Sequence, residues 1–300
     1  MLVSCLSRML PLVELVTPCP VCAHPEPRAL HVMRNLRPIV QVPFLALNGC
    51  AACGFVYTWP RPSPAQLAEY YDPDADDGWD RGGNLDDPQQ LARLEKTFAL
   101  KRDKGRRLLD VIAQWAALPD RPERHAFDFG CGAGSLLDVL QDRGWTTTGL
   151  EPHRLREVAA RRHRVVDEIP DSPVFDLVMV HHVLEHVLQP GEVLGALASA
   201  TRPGGFLLCS MPDLEGLPDH HAFTYVASAV HINSFTTASV HNLLQRSGWT
   251  VVRAQSGGFL TERTAKDAER MMVLAVRDAD APSRPLQPGA LAVAEEALRR

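Results

Sequence analysis

The chain has 300 residues, 45% hydrophobic and 22% charged, with a formal net charge of −5 at pH 7; that is enough for one sizeable α/β core and a small accessory module. The acidic balance provides no basic footprint for a polyanion, and no apolar run is long enough to span a bilayer. Seven cysteines, four of them in two C-x-x-C pairs, fit a reducing cytoplasm and a metal better than a disulfide framework.

Met1 to Val16 is apolar but broken by Arg8, Pro11 and Glu14, which makes it an extension and not a signal peptide. Residues 17–60 are rich in Pro, Cys and short β-like runs, Ile39–Val42 and Phe55–Tyr57 among them, and such a unit needs a staple. Pro60–Pro64 is a stiff connector, and Ser63 with Pro64 starts a short helix through Tyr71. Asp72 to Asp87 is acidic and Gly-rich and is expected to be a loop. Gln89 to Ala117 has helical periodicity, with Gly105 as a candidate break.

After Pro119 strands and helices alternate. Strands are predicted at Ala126–Phe129, Thr146–Leu150, Val165–Val166, Phe175–His181, Phe206–Met211, Thr250–Ala254 and Met271–Val276. Helices are predicted at Ser135–Arg143, Pro152–His163, Gly191–Thr201 and Thr237–Ser247, the last ending at Gly248. Near-continuous apolar strands in this alternation imply a parallel sheet covered on both faces. Arg154, Arg156, Arg161, Arg162 and Arg164 fall on one helical stretch and are expected to form a solvated face. From Pro282 onward the pattern is a Pro-rich linker and a frayed helix.

The sharpest motif is Asp128-Phe129-Gly130-Cys131-Gly132-Ala133-Gly134, where the first strand of this alternation turns into its helix. Its glycines let backbone turn tightly and approach a ligand, and the strand tip is where such sheets bind nucleotide-like ligands. Glu151 ends the next strand, where a carboxylate can accept both ribose hydroxyls of an adenosine. A dinucleotide-binding fingerprint would be Gly-x-Gly-x-x-Gly; here the third glycine comes two residues after the second. The arrangement resembles motif I of the class I S-adenosylmethionine-dependent methyltransferases. There the ligand carries a cationic amino group, which suits Asp128.

The resemblance extends from Ala126 to about Arg277. Phe175-Asp176-Leu177-Val178-Met179-Val180-His181-His182-Val183-Leu184-Glu185-His186 looks like the fourth-strand motif, and Arg202-Pro203-Gly204-Gly205-Phe206, His231–Thr236 and Gly248-Trp249 match the later part of the domain. It implies a cofactor site of Asp128, Gly130, Cys131, Gly132, Gly134, Glu151, Pro152 and His181.

Cys19-Pro20-Val21-Cys22 and Cys50-Ala51-Ala52-Cys53 are two knuckles that bring four thiolates within tetrahedral reach of one Zn²⁺. Four thiolates leave no open coordination position, so the metal is expected to be structural. Cys50–Pro64, followed by Leu67-Ala68-Glu69-Tyr70-Tyr71, resembles the zinc-ribbon head of a bacterial methyltransferase group associated with sugar, cell-envelope glycan and secondary-metabolite modification. That resemblance puts Tyr70-Tyr71 near the cofactor.

Methyl transfer to oxygen or carbon requires removal of a proton, and histidine suits that task at neutral pH. Candidates are His181, His182, Glu185 and His186 after the fourth strand, and His220, His221 and His231 in the loop after the fifth. His186 and His231 match the family pattern and lead, with His182 and Glu185 beside them. In related quinone-type O-methyltransferases a Glu often stands at the position of His182 and helps hold a divalent metal; here that pattern is broken. In the sugar C-methyltransferases a Glu often precedes the late histidine; here it is Val230.

The fold expected is a Rossmann-like α/β methyltransferase with a mostly parallel seven-stranded sheet, helices on both faces and an N-terminal zinc ribbon. The divisions expected are 1–16 (extension), 17–62 (ribbon), 63–118 (helical linker), 119–280 (S-adenosylmethionine-binding domain) and 281–300 (tail). The expected partner is a small-molecule methyl acceptor in the cytoplasm, with no membrane. The competing readings are an RNA methyltransferase, disfavoured by a ribbon poor in Lys and Arg, and a non-catalytic S-adenosylmethionine-binding module.

Overall fold

The computed structural model describes residues 18–36, 39–71, 87–216, 226–257 and 270–299. The extension at 1–16, the acidic segment 72–86 and the candidates His220 and His221 lie outside the described residues.

The ribbon is an antiparallel sheet of β1 (Pro27–Arg34), β2 (Phe44–Cys50) and β3 (Val56–Trp59), with Val32 opposite Ala46 and Asn48 opposite Tyr57. Ile39–Val42, expected as a strand, is the connection between β1 and β2. Asn35 Nδ2 donates to the carbonyls of Val40 at 2.8 Å and Val42 at 2.9 Å, which holds this apolar stretch as a loop with Val40 buried. Then α1 (Pro64–Tyr70) begins with the expected Ser63 cap, reciprocated by Gln66 in a capping box.

The next helix, α2 (Pro88–Trp115), is continuous and does not break at Gly105. A Cβ there would lie 2.7 Å from Leu136 Cδ2, so the glycine serves close packing against the helix after it. In chain order come β4 (Arg124–Phe129), α3 (Ser135–Gln141), β5 (Trp145–Leu150), α4 (Leu155–Ala159), β6 (Arg164–Val166), β7 (Phe175–His181) and α5 (Pro190–Ala200). After them come β8 (Thr201–Pro212), β9 (Asn233–Ser234), α6 (Thr237–Arg246), β10 (Trp249–Gln255), β11 (Arg270–Arg277) and α7 (Ala290–Ala297).

Two elements depart from their expected bounds by more than two residues at an end. α4 is shorter than Pro152–His163: Glu151 Oε1 accepts the His153 N–H and spends the first residues in a turn, while at the far end His163 turns inward to Thr147 and Asp138. β8 starts earlier than Phe206. Pairing to β7 jumps from Phe175–Thr201 to Leu177–Phe206, so the Pro203–Gly205 turn bulges out of a longer strand.

The large sheet has seven strands in the order β10-β11-β8-β7-β4-β5-β6, parallel except for β11, which runs antiparallel to both β8 and β10. Because β4 lies between β5 and β7, successive crossovers leave on opposite sides, and a crevice opens at the C-terminal ends of β4 and β7. Alternate residues of these strands feed two cores. Phe127, Val178 and Val180 pack with Leu194 and Leu243 of α5 and α6. Ala126, Leu177 and Met179 pack with Ile112 and Leu137 of α2 and α3. The arginine stretch stands at the surface, where Arg156 pairs with Asp167 at 2.5 Å and Arg162 with Asp138 at 2.8 Å.

The first core continues without a break into Cys19, Cys50, Cys53, Phe55 and Tyr57 of the ribbon. β9 completes the junction by pairing antiparallel with β3, Ser234 opposite Val56 and Asn233 opposite Tyr57. The C-terminal stretch expected to fray is instead docked. Ala290 covers Gly54, Ala294 is fully buried with Leu45, Leu47 and Val56, and Gln287 N–H donates to Asn242 Oδ1 at 2.7 Å. No helix among the described residues is long and apolar enough to cross a membrane.

Candidate active site

The glycine loop leaves the end of β4, where Gly130 and Cys131 N–H both donate to the Leu150 carbonyl, at 2.8 and 3.0 Å. Gly130 has φ +83, and a Cβ there would meet Val183 Cγ2 at 2.4 Å, so both backbone and space require glycine. Gly134, with φ +81, is the N-cap of α3. The Cys131 side chain turns into the second core against Gly149, which leaves its backbone to line the loop.

Asp128 is 2% exposed, and its Oδ1 has no hydrogen-bond partner among the described residues. Burial, reinforced by the charge of Glu151, pushes its carboxyl up to about 7. Glu151 is also buried; its Oε2 accepts from Gly132 N at 2.7 Å and its Oε1 from His153 N at 3.0 Å. Pro152 comes next, at the surface. A buried acid lacking a hydrogen-bond partner among the described residues, beside the half-buried Gly130 and Gly132, is suited to a cationic ligand group.

At the end of β7, His181 hydrogen-bonds Ser210 through Nδ1, and burial, with the nearby His182 adding to it, pushes it well below the usual histidine range. It is therefore neutral. His182 adopts φ +54, a left-handed backbone that a non-glycine residue rarely accepts without a constraint. Its Nδ1 lies 3.0 Å from Glu185 Oε1. Burial alone would raise the Glu185 carboxyl, but the His182 hydrogen bond and the positions of His182, His186 and His231 hold it at about 2. Its Oε2 is buried without a partner among the described residues.

His186 lies on the 3₁₀ turn Leu184–His186, and its Nδ1 is 3.0 Å from the Val230 carbonyl. A carbonyl only accepts, so Nδ1 carries the proton and, in the neutral ring, Nε2 is the basic nitrogen. The His231 ring meets the His186 ring edge-on, with centroids 4.7 Å apart. Tyr71 stands 6.1 Å from His186 on one side and 5.0 Å from His153 on the other. An aromatic row therefore runs from the residue after Glu151-Pro152 to the late histidine. One ligand atom from each of Glu185, His186 and His231 lies within 4.8 Å of the others.

The ribbon brings its four cysteines together, with Cys19 Sγ 3.7 Å from Cys53 Sγ and Cys22 Sγ 3.5 Å from Cys50 Sγ. Sulfurs arranged tetrahedrally at 2.3 Å from one metal stand roughly 3.8 Å apart, so the donor set and its spacing fit a zinc-sized ion. None of the four forms a disulfide.

Two residues to which the sequence assigns no role stand behind the histidines. Arg61 hydrogen-bonds the Val187, Leu188 and Ile232 carbonyls and Asn233 Oδ1, and Asn233 Nδ2 in turn bonds the Leu184 and Val187 carbonyls. His153, likewise given no role, joins the site through the ring of Tyr71. Arg61 and Asn233 fall inside stretches that carry the resemblance, but the local sequence does not reveal these contacts, because each of these partners is far away along the chain.

Comparison with known proteins shows the family. A model described as "Methyltransferase domain" matches residues 90–254. Among curated relatives, a "Ubiquinone biosynthesis O-methyltransferase" of Alkalilimnicola ehrlichii is 33% identical over 116 residues, covering 34% of this chain and 46% of that protein. One from Rhodopseudomonas palustris is 28% identical over 161 residues, covering 50% of this chain and 62% of that protein. The chain thus spans about half to three-fifths of the length of the curated relatives it matches. A solved S-adenosylmethionine-dependent methyltransferase from Mesorhizobium loti aligns at 18% identity and a TM-score of 0.47, over 59% of this chain and 100% of that one. With more than half of its residues inside the match, the chain belongs to the methyltransferase domain family.

Proposed function

We propose that the enzyme methylates a small molecule, a sugar, glycan precursor or secondary metabolite, with His186 as the general base and His231 as its partner. The observation that carries this reading is the edge-on His186–His231 pair beside Tyr71 at the C-terminal edge of β7. The name of the curated relatives favours oxygen as the acceptor atom.

When bound, S-adenosylmethionine supplies an electrophilic methyl group on a sulfonium. On the cofactor side, Asp128 answers the ligand's ammonium, and Glu151 exchanges its backbone partners for ribose hydroxyls. Gly130, Gly132 and Gly134, with the Cys131 backbone, let the chain approach, while Pro152 and neutral His181 border the crevice. On the acceptor side, His186 Nε2 would take the proton from the substrate oxygen or carbon that attacks the methyl group, with sulfur keeping the electron pair of the broken S–CH3 bond and leaving as the thioether. The buried anion Glu185, oriented by His182, stabilises the imidazolium that results. Cys19, Cys22, Cys50 and Cys53 hold one structural Zn²⁺ in this reading. The chain divides as 17–62 for the ribbon, 63–118 for the helical connection, 119–280 for cofactor binding and 281–300 for the C-terminal segment.

Labelled-methyl transfer to cell-extract fractions tests the base. His186→Ala and His231→Ala should each slow transfer by about 10²–10⁴-fold, the usual contribution of general acid–base catalysis. S-adenosylhomocysteine affinity and melting temperature should stay near the parent's. Parental rates in both variants would overturn the assignment.

A second reading rests on the partnerless Glu185 Oε2 and the convergence of Glu185, His186 and His231, which fit a divalent cation. Transfer abolished by a chelator and restored by Mg²⁺ or Mn²⁺ would favour it; chelator-resistant transfer would exclude it.

A further inference from the structure

Arg61 leaves the ribbon just after β3 and reaches into the fold behind the two histidines. Nη1 lies 3.2 Å from the Ile232 carbonyl and 3.0 Å from Asn233 Oδ1, while Nη2 lies 2.8 Å from the Leu188 carbonyl and 3.4 Å from that of Val187. The first pair of acceptors adjoins His231; the second lies one and two residues beyond His186. Asn233, fully buried, closes the frame by donating to the Leu184 carbonyl at 2.8 Å and the Val187 carbonyl at 2.7 Å. From the ribbon side, Thr58 N–H donates to the Ile232 carbonyl at 3.0 Å and β3 pairs with β9.

Burying a guanidinium is costly unless its donors are satisfied. Among the described residues no carboxylate pairs with Arg61, and its hydrogen bonds run to neutral oxygens on two chain segments, Val187–Leu188 and Ile232–Asn233. Burial pulls it down to about 10, so it remains a cation at neutral pH. An ion pair or a surface contact would not need this placement. A planar fork that spans two segments does, and lysine, a single point donor, cannot reproduce it.

We propose that Arg61, with Asn233, is a positioning residue that sets the distance between His186 and His231, and that the ribbon is thereby part of the acceptor site. This rests on the reading of those histidines as the acceptor-side pair. It separates two roles for the ribbon. A ribbon that merely recruits substrate could be loosened without moving the histidines, whereas a ribbon that frames the site could not.

The test uses the full chain labelled with ¹⁵N-histidine. Long-range ¹H–¹⁵N spectra report the tautomer of each ring, and His186→Ala and His231→Ala identify the two signals by their loss. Arg61→Lys should displace both signals and erode the Nδ1–H tautomer of His186, with S-adenosylhomocysteine affinity within about twofold of the parent, because Asp128 and Glu151 touch neither brace residue. Label transfer should fall at least tenfold on kcat with little change in KM. Arg61→Met should do the same or worse; if it fails to fold, Arg61→Lys and Asn233→Ser decide. Unshifted His186 and His231 signals in a folded Arg61→Lys protein would overturn the proposal. The spectra read ring placement whether or not the rings are catalytic. Parental transfer by His186→Ala would refute the base assignment while leaving the placement result intact.

Discussion

In the proposed reading, the cofactor edge and the acceptor edge of the crevice are built in different ways. The cofactor edge is local: Asp128, Gly130, Gly132 and Gly134 lie within seven residues, and Glu151 joins through the neighbouring parallel strand. The acceptor edge draws on Arg61, Tyr71, His153, His186 and His231, which come from five separate stretches held by hydrogen bonds and ring contacts. A local site tolerates damage elsewhere. A composite one inherits the stability of every element that frames it, including a ribbon whose cysteines share a core with Phe235, Val240 and Leu243.

The largest test of that contrast is Cys50→Ser. Structural zinc in a small module supplies on the order of 10 kcal/mol of its folding free energy, so the variant should lose zinc by elemental analysis and show a much lower melting temperature. Label transfer should disappear, while S-adenosylhomocysteine still binds whatever remains folded. Transfer at the parental rate in a zinc-free variant would show that the two edges are independent after all.

Next is Gly130→Ala, aimed at the cofactor edge alone. A Cβ 2.4 Å from Val183 Cγ2 at φ +83 adds a clash to left-handed strain of about 1–2 kcal/mol. Calorimetry should show affinity for S-adenosylhomocysteine reduced more than tenfold, and Gly130→Ala/Val183→Ala should recover only part, since the backbone strain stays. Glu151→Ala is expected to cost about 1–3 kcal/mol of binding, the range for stranding buried hydrogen-bond partners. Equal affinity for variant and parent would remove Glu151 from the ribose role.

The smallest effect is a pH dependence. The Asp128 carboxyl is raised to about 7 in the fold, above its unfolded value of roughly 4. Its stabilising contribution is complete below the unfolded value and is lost as pH rises through about 7. A cationic ligand group prefers the ionised form, so S-adenosylhomocysteine affinity should rise between pH 6 and 8, while the ligand-free protein loses some stability over the same interval. Asp128→Asn should flatten both trends; pH-independent binding in the parent would count against Asp128 as the ammonium partner.

The same contrast between local and composite building explains how much was legible in the sequence. The periodicity of Phe175–His181 and its neighbours, the spacing of the glycines after Asp128 and the repeated C-x-x-C are all short-range patterns, and they lead to the sheet, the cofactor loop and the cysteine cluster. Gly105 misled because a glycine within a helical run reads as a break, and only the approach of Leu136 shows that it serves packing. Ile39–Val42 misled because its apolar residues are β-like, while the Asn35 side chain holds them as a turn. Pro282 onward read as a linker and a frayed helix; the helix is there, but Ala290 and Ala294 fit it to Gly54 and the ribbon core instead of leaving it frayed.

By itself, then, the sequence determined the class of fold, the glycine loop and the four-cysteine group, because backbone conformation, strand alternation and cysteine spacing are set by residues near one another. The sequence singled out His186 and His231, but tertiary structure alone decided that their rings meet edge-on, that Tyr71 lies between His153 and His186, and that Arg61 joins the ribbon to both histidine segments. Those contacts close loops of up to about 170 residues, and no local preference encodes them. They arise from β9 pairing with β3 and from one apolar core shared by the ribbon and the large sheet.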